Sequence, residues 1–588
     1  MMNFQKVNKA FNKFFEKTRY SENMFIITLS LFIGLLTGLG AVAFRWLIIN
    51  SRNFFFGSLP LATSFTNLPR EWFIPLIPML GGLLVGPIVY KFSSEAKGHG
   101  VPEVMSAVAL KGGVIRPRVS LAKSVASAIC IGSGGSAGRE GPIVQIGSAI
   151  GSTIGQVFRL SGNRVKVLVG AGAAGGISAV FNAPIAGVIF ALEIILGDFT
   201  IKTFSPVILS SVMASVVSRY FLGNHPAFAV PHYTLISAWE IPMYMLLGLF
   251  TGVIAYTFTR SLYFFEDLFD GWKKVPNVTK PAIGGLALGV LGYFFPQIFA
   301  DGYEQIGAAL HGEMVWDLLL VLIFAKILAT SFTLGSGNSG GIFAPSLFMG
   351  AMAGGVFGVL MDFLFPTVTA PPAAYALVGM GAVVAGATHA TITAIIIVFE
   401  MTGDYRIILP MMVACVFATL VSMRLSKESI YTLKLFRQGI NIHTGRDKNI
   451  LMEIKVQDVM NTEFQSIPVH LSLNGIMRLM EESNETTFPV TDHGKLYGML
   501  SFQDLRTVLT QPVIPTLIIA SDIASRDTIT VTQDENLHEA LQKFGLKDIG
   551  MMPVVDSNDP RKIIGIIKRG DVMSRYNKRL VGKMAAEG

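Results

Sequence analysis

The sequence predicts an all-α polytopic membrane domain followed by a soluble α/β domain. Three observations carry this reading. Of 588 residues, 51% are hydrophobic and only 15% charged, with a mean hydropathy of +0.54, whereas in a soluble chain about a quarter are charged. The charge is also uneven. Lys6, Lys9, Lys13, Lys17 and Arg19 crowd residues 1–20, residues from about 24 to 423 are apolar and glycine-rich, and the tail from about 450 is ordinary polar sequence. Third, the tail repeats a short strand-and-helix pattern. The expected organisation is a cytoplasmic segment at 1–22, a membrane domain at 23–436, a linker at 437–454, and two tail copies at 455–510 and 511–588.

The first apolar run, "MFIITLSLFIGLLTGLGAVAFRWLII" from Met24, is too long and too glycine-interrupted for a signal peptide. Further apolar segments begin near 73, 120, 143, 166, 204, 240, 281, 316, 342, 375 and 406. Several are shorter than the roughly 20 residues that span a hydrocarbon core. Others hold Gly or Pro inside, as in "AGAAGGISAVFNAPIAGVIFALEIIL". Backbone left unpaired at such breaks is tolerated at membrane depth only where protein or a cavity surrounds it. The formal charge of +8 fits a basic cytoplasmic face better than a nucleic-acid partner. A basic start and a soluble tail both expect cytoplasmic termini, hence an even number of crossings, in the inner or plasma membrane of a prokaryote. Cys130 and Cys415 lie in apolar segments and argue against a disulfide framework.

The membrane part repeats itself. "GSGGSAGREGPIVQIG" from Gly132 aligns without gaps on "GSGNSGGIFAPSLFMG" from Gly335, with seven of sixteen positions identical. "APIAGVIFALE", ending at Glu193, answers "ATITAIIIVFE", ending at Glu400. Repeated halves whose broken helices meet at the midplane are a transporter signature. After the linker, "VQDVM…FPVTDHGKLYGMLSFQDL" is echoed by "ASDIA…MPVVDSNDPRKIIGIIKRGDV", each read as strand, helix, strand, strand, helix.

The glycines around Glu140 have a physical use. A helix start presents free N–H groups and the positive end of a dipole, which bind an anion without a full positive charge. "GHGVPE" at Gly98, "GREGP" at Gly138 and "GGIFAP" at Gly340 each combine close backbone approach with proline suited to a first turn. Glu140 competes with an anion for such N–H groups: ionised it fills the site, protonated it swings away. A carboxylate inside a membrane is costly and functional by default. The alternative is an ion pair with Arg139, but adjacent helical residues face different ways.

"GHGVPE", "GREGPIVQIG", "GGIFAP", "FNAPIAGVIFALE" and "SIYTLKL" occur in this order. Their order and spacing resemble those of CLC chloride channels and transporters, and the tail resembles the paired CBS domains many of them carry. The resemblance covers nearly the whole chain. It implies the CLC fold, eighteen mostly embedded helices in two inverted halves, and a homodimer with one pore in each subunit. By position, Glu140 is similar to the external gating glutamate. The backbone amides of Arg139, Gly141, Ile342 and Phe343 are similar to the anion-coordinating set, and Tyr431 to the tyrosine on the innermost ion. Lys123 stands where the family has a buried lysine. Tyr431 also fits an interfacial aromatic belt.

Two departures stand out. His99 occupies the place of the serine in "GSGIP"; an imidazole donates one N–H when neutral and adds a charge when protonated. It therefore changes anion preference or pH response, or else turns to the aqueous mouth and does neither. Ile194, after Glu193, replaces a further glutamate that proton-coupled members carry as an inner relay. This favours passive or weakly coupled anion movement, with water or Glu193 left as proton routes. In the tail, Ser501 and Asp504 have the S-x-x-D spacing CBS domains use for the ribose of ATP, ADP or AMP. The second copy keeps Asp571 but has Lys568 for the hydroxyl residue, so Lys568 either meets a phosphate or the site is empty. A purely structural, dimer-forming tail is the alternative.

No phosphate-cradling GxxxxGK[ST] loop, metal-ligand cluster or nucleophile–base pair is legible, and "HEAL" at His538 lacks a second histidine. The expectation is therefore a non-enzyme without metal, and the resemblance implies that it moves chloride. Alternatives are proton-coupled exchange and another anion such as bicarbonate, nitrate or fluoride. From another class comes a membrane-anchored nucleotide sensor that passes no ion.

Overall fold

The fold comes from a computed structural model. It describes residues 22–58, 73–440 except 225, 229, 232 and 234, and 451–576 except 453, 484, 510–517 and 548. The chain divides into two compact units, Met1–Ile442 and His443–Gly588. The linker assigned to 437–454 lies mostly outside the described residues.

The first unit is all helical. In chain order its helices are α1 (Glu22–Arg52), α2 (Leu76–Pro87), α3 (Val101–Leu110), α4 (Pro117–Gly132), α5 (Glu140–Val157) and α6 (Gly162–Phe181). Then come α7 (Pro184–Phe190), α8 (Ile201–Leu222), α9 (Glu240–Gly271), α10 (Lys280–Phe294), α11 (Tyr303–Leu310) and α12 (Trp316–Gly335). The series ends with α13 (Phe343–Leu364), α14 (Pro372–Thr388), α15 (Thr391–Thr402), α16 (Ile408–Leu425) and α17 (Thr432–Arg437). Seven of these are long and apolar enough to cross a membrane. The protein is thus an integral multi-pass membrane protein. The eighteen helices of the resemblance compare with seventeen among the described residues.

Every apolar segment read from the sequence starts within a few residues of a helix. The short helices α3, α7, α11, α15 and α17 were not separate apolar segments in the sequence. The run read as one segment from 166 breaks in two. Asn182 closes α6 in the left-handed region at φ 57°, and Pro184 opens α7. The residue before a proline avoids the helical region, and proline fits a first turn, so this sequence can only stop and restart. With its widened end Ala191–Leu196, α7 is about 20 Å long, short of the roughly 30 Å hydrocarbon core.

The repeat is real in space and inverted. Gly138 N–H donates to Gly341 O (2.8 Å) and Gly341 N–H to Gly138 O (2.6 Å), an antiparallel pair of equivalent glycines. Ser127 Oγ meets Ser339 Oγ at 2.9 Å, and their repeat equivalents Thr330 and Ser136 meet at 3.0 Å. Such exchanged pairs place a two-fold axis between Gly138 and Gly341. Helix crossings repeat as well. A Cβ on Gly147 would lie 2.1 Å from Gly172 O, and one on Gly350 2.3 Å from Gly379 O. These glycines let α5 lie on α6 and α13 on α14 at backbone contact. His389 repeats Asn182, ending α14 at φ 57°.

The second unit carries two copies of one small fold, with β1 (Ile467–Pro468), α18 (Leu473–Glu482), β2 (Thr487–Asp492), β3 (Lys495–Ser501) and α19 (Phe502–Leu509) in the first. After α20 (Ala520–Ile523) the second has β4 (Val531–Thr532), α21 (Leu537–Lys547), β5 (Met551–Val555) and β6 (Ile563–Lys568), then helical residues 569–576. Each sheet pairs its first and middle strands in parallel and its middle and last strands antiparallel. The strand, helix, strand, strand, helix order expected from the sequence is what forms.

Candidate functional site

Three helix starts meet where the repeats cross. Gly100 precedes α3 at φ 83°, in a region open chiefly to glycine. Arg139 precedes α5 and Ile342 precedes α13. Their first-turn N–H groups have no acceptor within their own helices. The approach is close: a Cβ on Gly141 would lie 2.0 Å from His99 O and 3.1 Å from Gly341 Cα. Any side chain at 141 would therefore push α3 away from α5.

Glu140 lies in this crossing, 2% exposed. Its Oε1 accepts a hydrogen bond from Tyr303 Oη at 3.0 Å. Its Oε2 has no hydrogen-bond partner and rests on the two crossing glycines, where a Cβ on Gly138 would come within 1.8 Å and one on Gly341 within 2.9 Å. Arg139 lies over the Tyr303 ring, its guanidinium carbon 4.8 Å from the ring centre.

His99 and Tyr431 are both buried with ring centres 5.8 Å apart. His99 Nδ1 has no partner. Lys123 Nζ donates to Ala96 O (3.1 Å) and Gly98 O (2.6 Å), clamping the turn before α3. Phe343 packs on Phe181 at 5.7 Å. His99, Arg139, Glu140, Gly141, Ile342, Phe343, Tyr431 and Lys123 are thus drawn to one place.

Glu193 lies elsewhere. Its carboxylate accepts from Thr393 N (2.8 Å), Thr393 Oγ1 (2.6 Å) and Ile392 N (3.3 Å), capping the start of α15. Glu400 caps α7 in return through Ile185 N (3.1 Å) and Ala186 N (2.7 Å). Ile194 beside Glu193 is buried. In the tail, Asp504 Oδ2 accepts from Ser501 N (2.8 Å) and Ser501 Oγ (2.6 Å), closing a cap on α19. Lys568 pairs with Glu485 of the first copy. Asp571 is in the last described helix and does not join Ser501 and Asp504 in any recorded contact.

Sequence reading missed Tyr303, Lys326 and the exchange of caps. Lys326 Nζ donates to Ile298 O (2.9 Å) and Ala300 O (3.0 Å), repeating the Lys123 clamp. Its position on the repeat opposite Lys123 was the available signal. Tyr303 belongs to no motif. Among the described residues no group of three or more His, Cys, Asp or Glu side chains could hold a metal ion. Both cysteines are free and buried.

Fold and site together define a membrane protein of inverted repeats, with broken helices aimed at one buried carboxylate. The family described as "Voltage gated chloride channel" matches residues 81–423, and CBS domains match 456–511 and 520–578. The chain belongs to the CLC family and carries a C-terminal CBS pair. It is 36% identical to a putative chloride channel protein ClcB-like of Ralstonia nicotianae, over 62% of this chain and 86% of that protein. It is 34% identical to the H(+)/Cl(-) exchange transporter ClcA of Salmonella agona, over 70% of this chain and 88% of the relative. The crystal structure of a slow cyanobacterial Cl-/H+ antiporter superposes with TM-score 0.64 at 27% identity, covering 70% of this chain and 97% of that one.

Proposed function

We propose that the protein moves chloride, or a similar small anion, across a membrane through the space between the starts of α3, α5 and α13. Glu140 is its gate. The observation that carries this is the unpartnered Glu140 oxygen at the crossing of the two repeats, beside helix starts that favour negative charge. When ionised the carboxylate holds the place of an anion; when protonated it leaves. The amides of Arg139, Gly141, Ile342 and Phe343 would coordinate the ion, with His99 and Tyr431 on its inner side. Lys123 holds the α3 turn in position. The molecule acts as a homodimer with cytoplasmic termini, and its work is transport, not enzymatic catalysis. The CBS pair would take an adenine nucleotide once Asp504 is released from its cap.

Movement without stoichiometric proton coupling is the favoured form, because Ile194 carries no proton and the carboxylate of Glu193 is committed to α15. Proton-coupled exchange is the second reading, favoured by relatives named as exchangers. Reconstituted protein under a chloride gradient, with external pH recorded, separates them. Anion efflux with little proton movement is expected. Protons moving in fixed ratio select exchange, and vesicles that stay tight to anions overturn transport and leave the nucleotide-sensor reading.

A further inference from the structure

Tyr303 belongs to neither repeat motif, yet it makes the one side-chain hydrogen bond recorded for the Glu140 carboxylate. Its placement is built. Gly302, in the left-handed region at φ 76°, turns the chain into α11. A side chain there would meet Phe348 at 2.6 Å. Lys326 anchors the preceding turn through Ile298 O and Ala300 O. Phe228 packs on the Tyr303 ring at 5.3 Å, and Phe228 N–H is itself held by Met401 O at 3.0 Å. Arg139 covers the ring 4.8 Å from its centre. The ring is held on several sides and its hydroxyl is aimed at Oε1.

We propose that Tyr303 is the latch of the Glu140 gate: its hydroxyl holds the ionised carboxylate in the anion's place and so sets how often the gate opens. This rests on the reading of Glu140 as a gate. The chemistry is one-sided. A carboxylate accepts the phenol hydrogen as a charge-assisted bond, about twice as strong as a neutral one. A protonated carboxyl has lost that charge and binds the hydroxyl more weakly, so the latch loosens when the gate is neutral. The other groups acting on Glu140 are its own backbone N–H, Arg139 and Asp301, and the carboxylate in turn acts on Tyr431. Of the side chains among these, none hydrogen-bonds to the carboxylate. Tyr303 is therefore a positioning residue for the gate.

The test compares wild type, Tyr303→Phe, Glu140→Ala and the double variant in chloride efflux from liposomes at pH 7.5 and 5. Phenylalanine keeps the ring and its stacking, so assembly is preserved. Tyr303→Phe should raise efflux at pH 7.5 roughly tenfold, the loss of one hydrogen bond to a charged group. It should also reduce the stimulation by acid. In the Glu140→Ala background the same change should do nothing. Efflux from Tyr303→Phe equal to wild type, with Glu140→Ala open, overturns the latch and leaves the gate standing. Glu140→Ala with wild-type efflux and pH response overturns the gate itself. An equal rise from Tyr303→Phe in both backgrounds would show that the hydroxyl acts elsewhere, and also overturns the latch.

Discussion

At the residue scale the centre is a carboxylate with one oxygen bound by Tyr303 and the other resting on two glycines. The glutamate and glycines were legible because their chemistry is local: a costly charge in an apolar run beside residues that permit close backbone approach. Tyr303 was not, since it comes from a segment more than 160 residues along the chain and only folding brings it near. His99 is the other informative residue. The reading in which it turns to the aqueous mouth meets a ring 4% exposed and packed beside Tyr431. A buried imidazole with an unpartnered nitrogen differs from a serine in shape and in donor. His99→Ser should shift the permeability ratio of nitrate or bicarbonate to chloride severalfold toward chloride, as measured by reversal potentials in planar bilayers. Unchanged ratios would remove His99 from selectivity.

At the element scale, the repeat explains helices that hydropathy alone merges or omits. The start of α15 follows His389 as α7 follows Asn182, so the two breaks are one device used twice. The sequence alignment paired Glu193 with Glu400 but gave no direction to either side chain. Folding crosses them, each capping the helix of the opposite half. A carboxylate spanning two backbone donors and a hydroxyl is a cap first, and this weighs against its use as a proton carrier. Glu193→Ala should cost about 1–3 kcal/mol of stability, seen as a lower thermal midpoint in detergent, with anion selectivity unchanged. An unaltered midpoint would show that the cap is dispensable.

At the scale of the whole molecule, the chain divides into two compact units, Met1–Ile442 and His443–Gly588, where the sequence passes from apolar membrane segments to an ordinary polar tail. The two tail copies were legible because each is a short local pattern repeated. What the tail binds was less so: Ser501 and Asp504 have the right spacing for a ribose, but they bond to each other as a helix cap, and Lys568 is paired with Glu485. A nucleotide bound there would have to displace Ser501 from Asp504. In full-length protein, Asp504→Ala should weaken ATP binding about tenfold or more in a titration by calorimetry; no heat from wild type would leave the tail structural. The central claim, that helix starts and Glu140 share one anion position, is tested most directly by anomalous diffraction from bromide-soaked crystals of wild type and Glu140→Gln. An additional bromide peak should appear in the variant where the Glu140 carboxylate lies, within reach of the amides of Gly141, Ile342 and Phe343. Identical peaks in both proteins, or none near those amides, would contradict it.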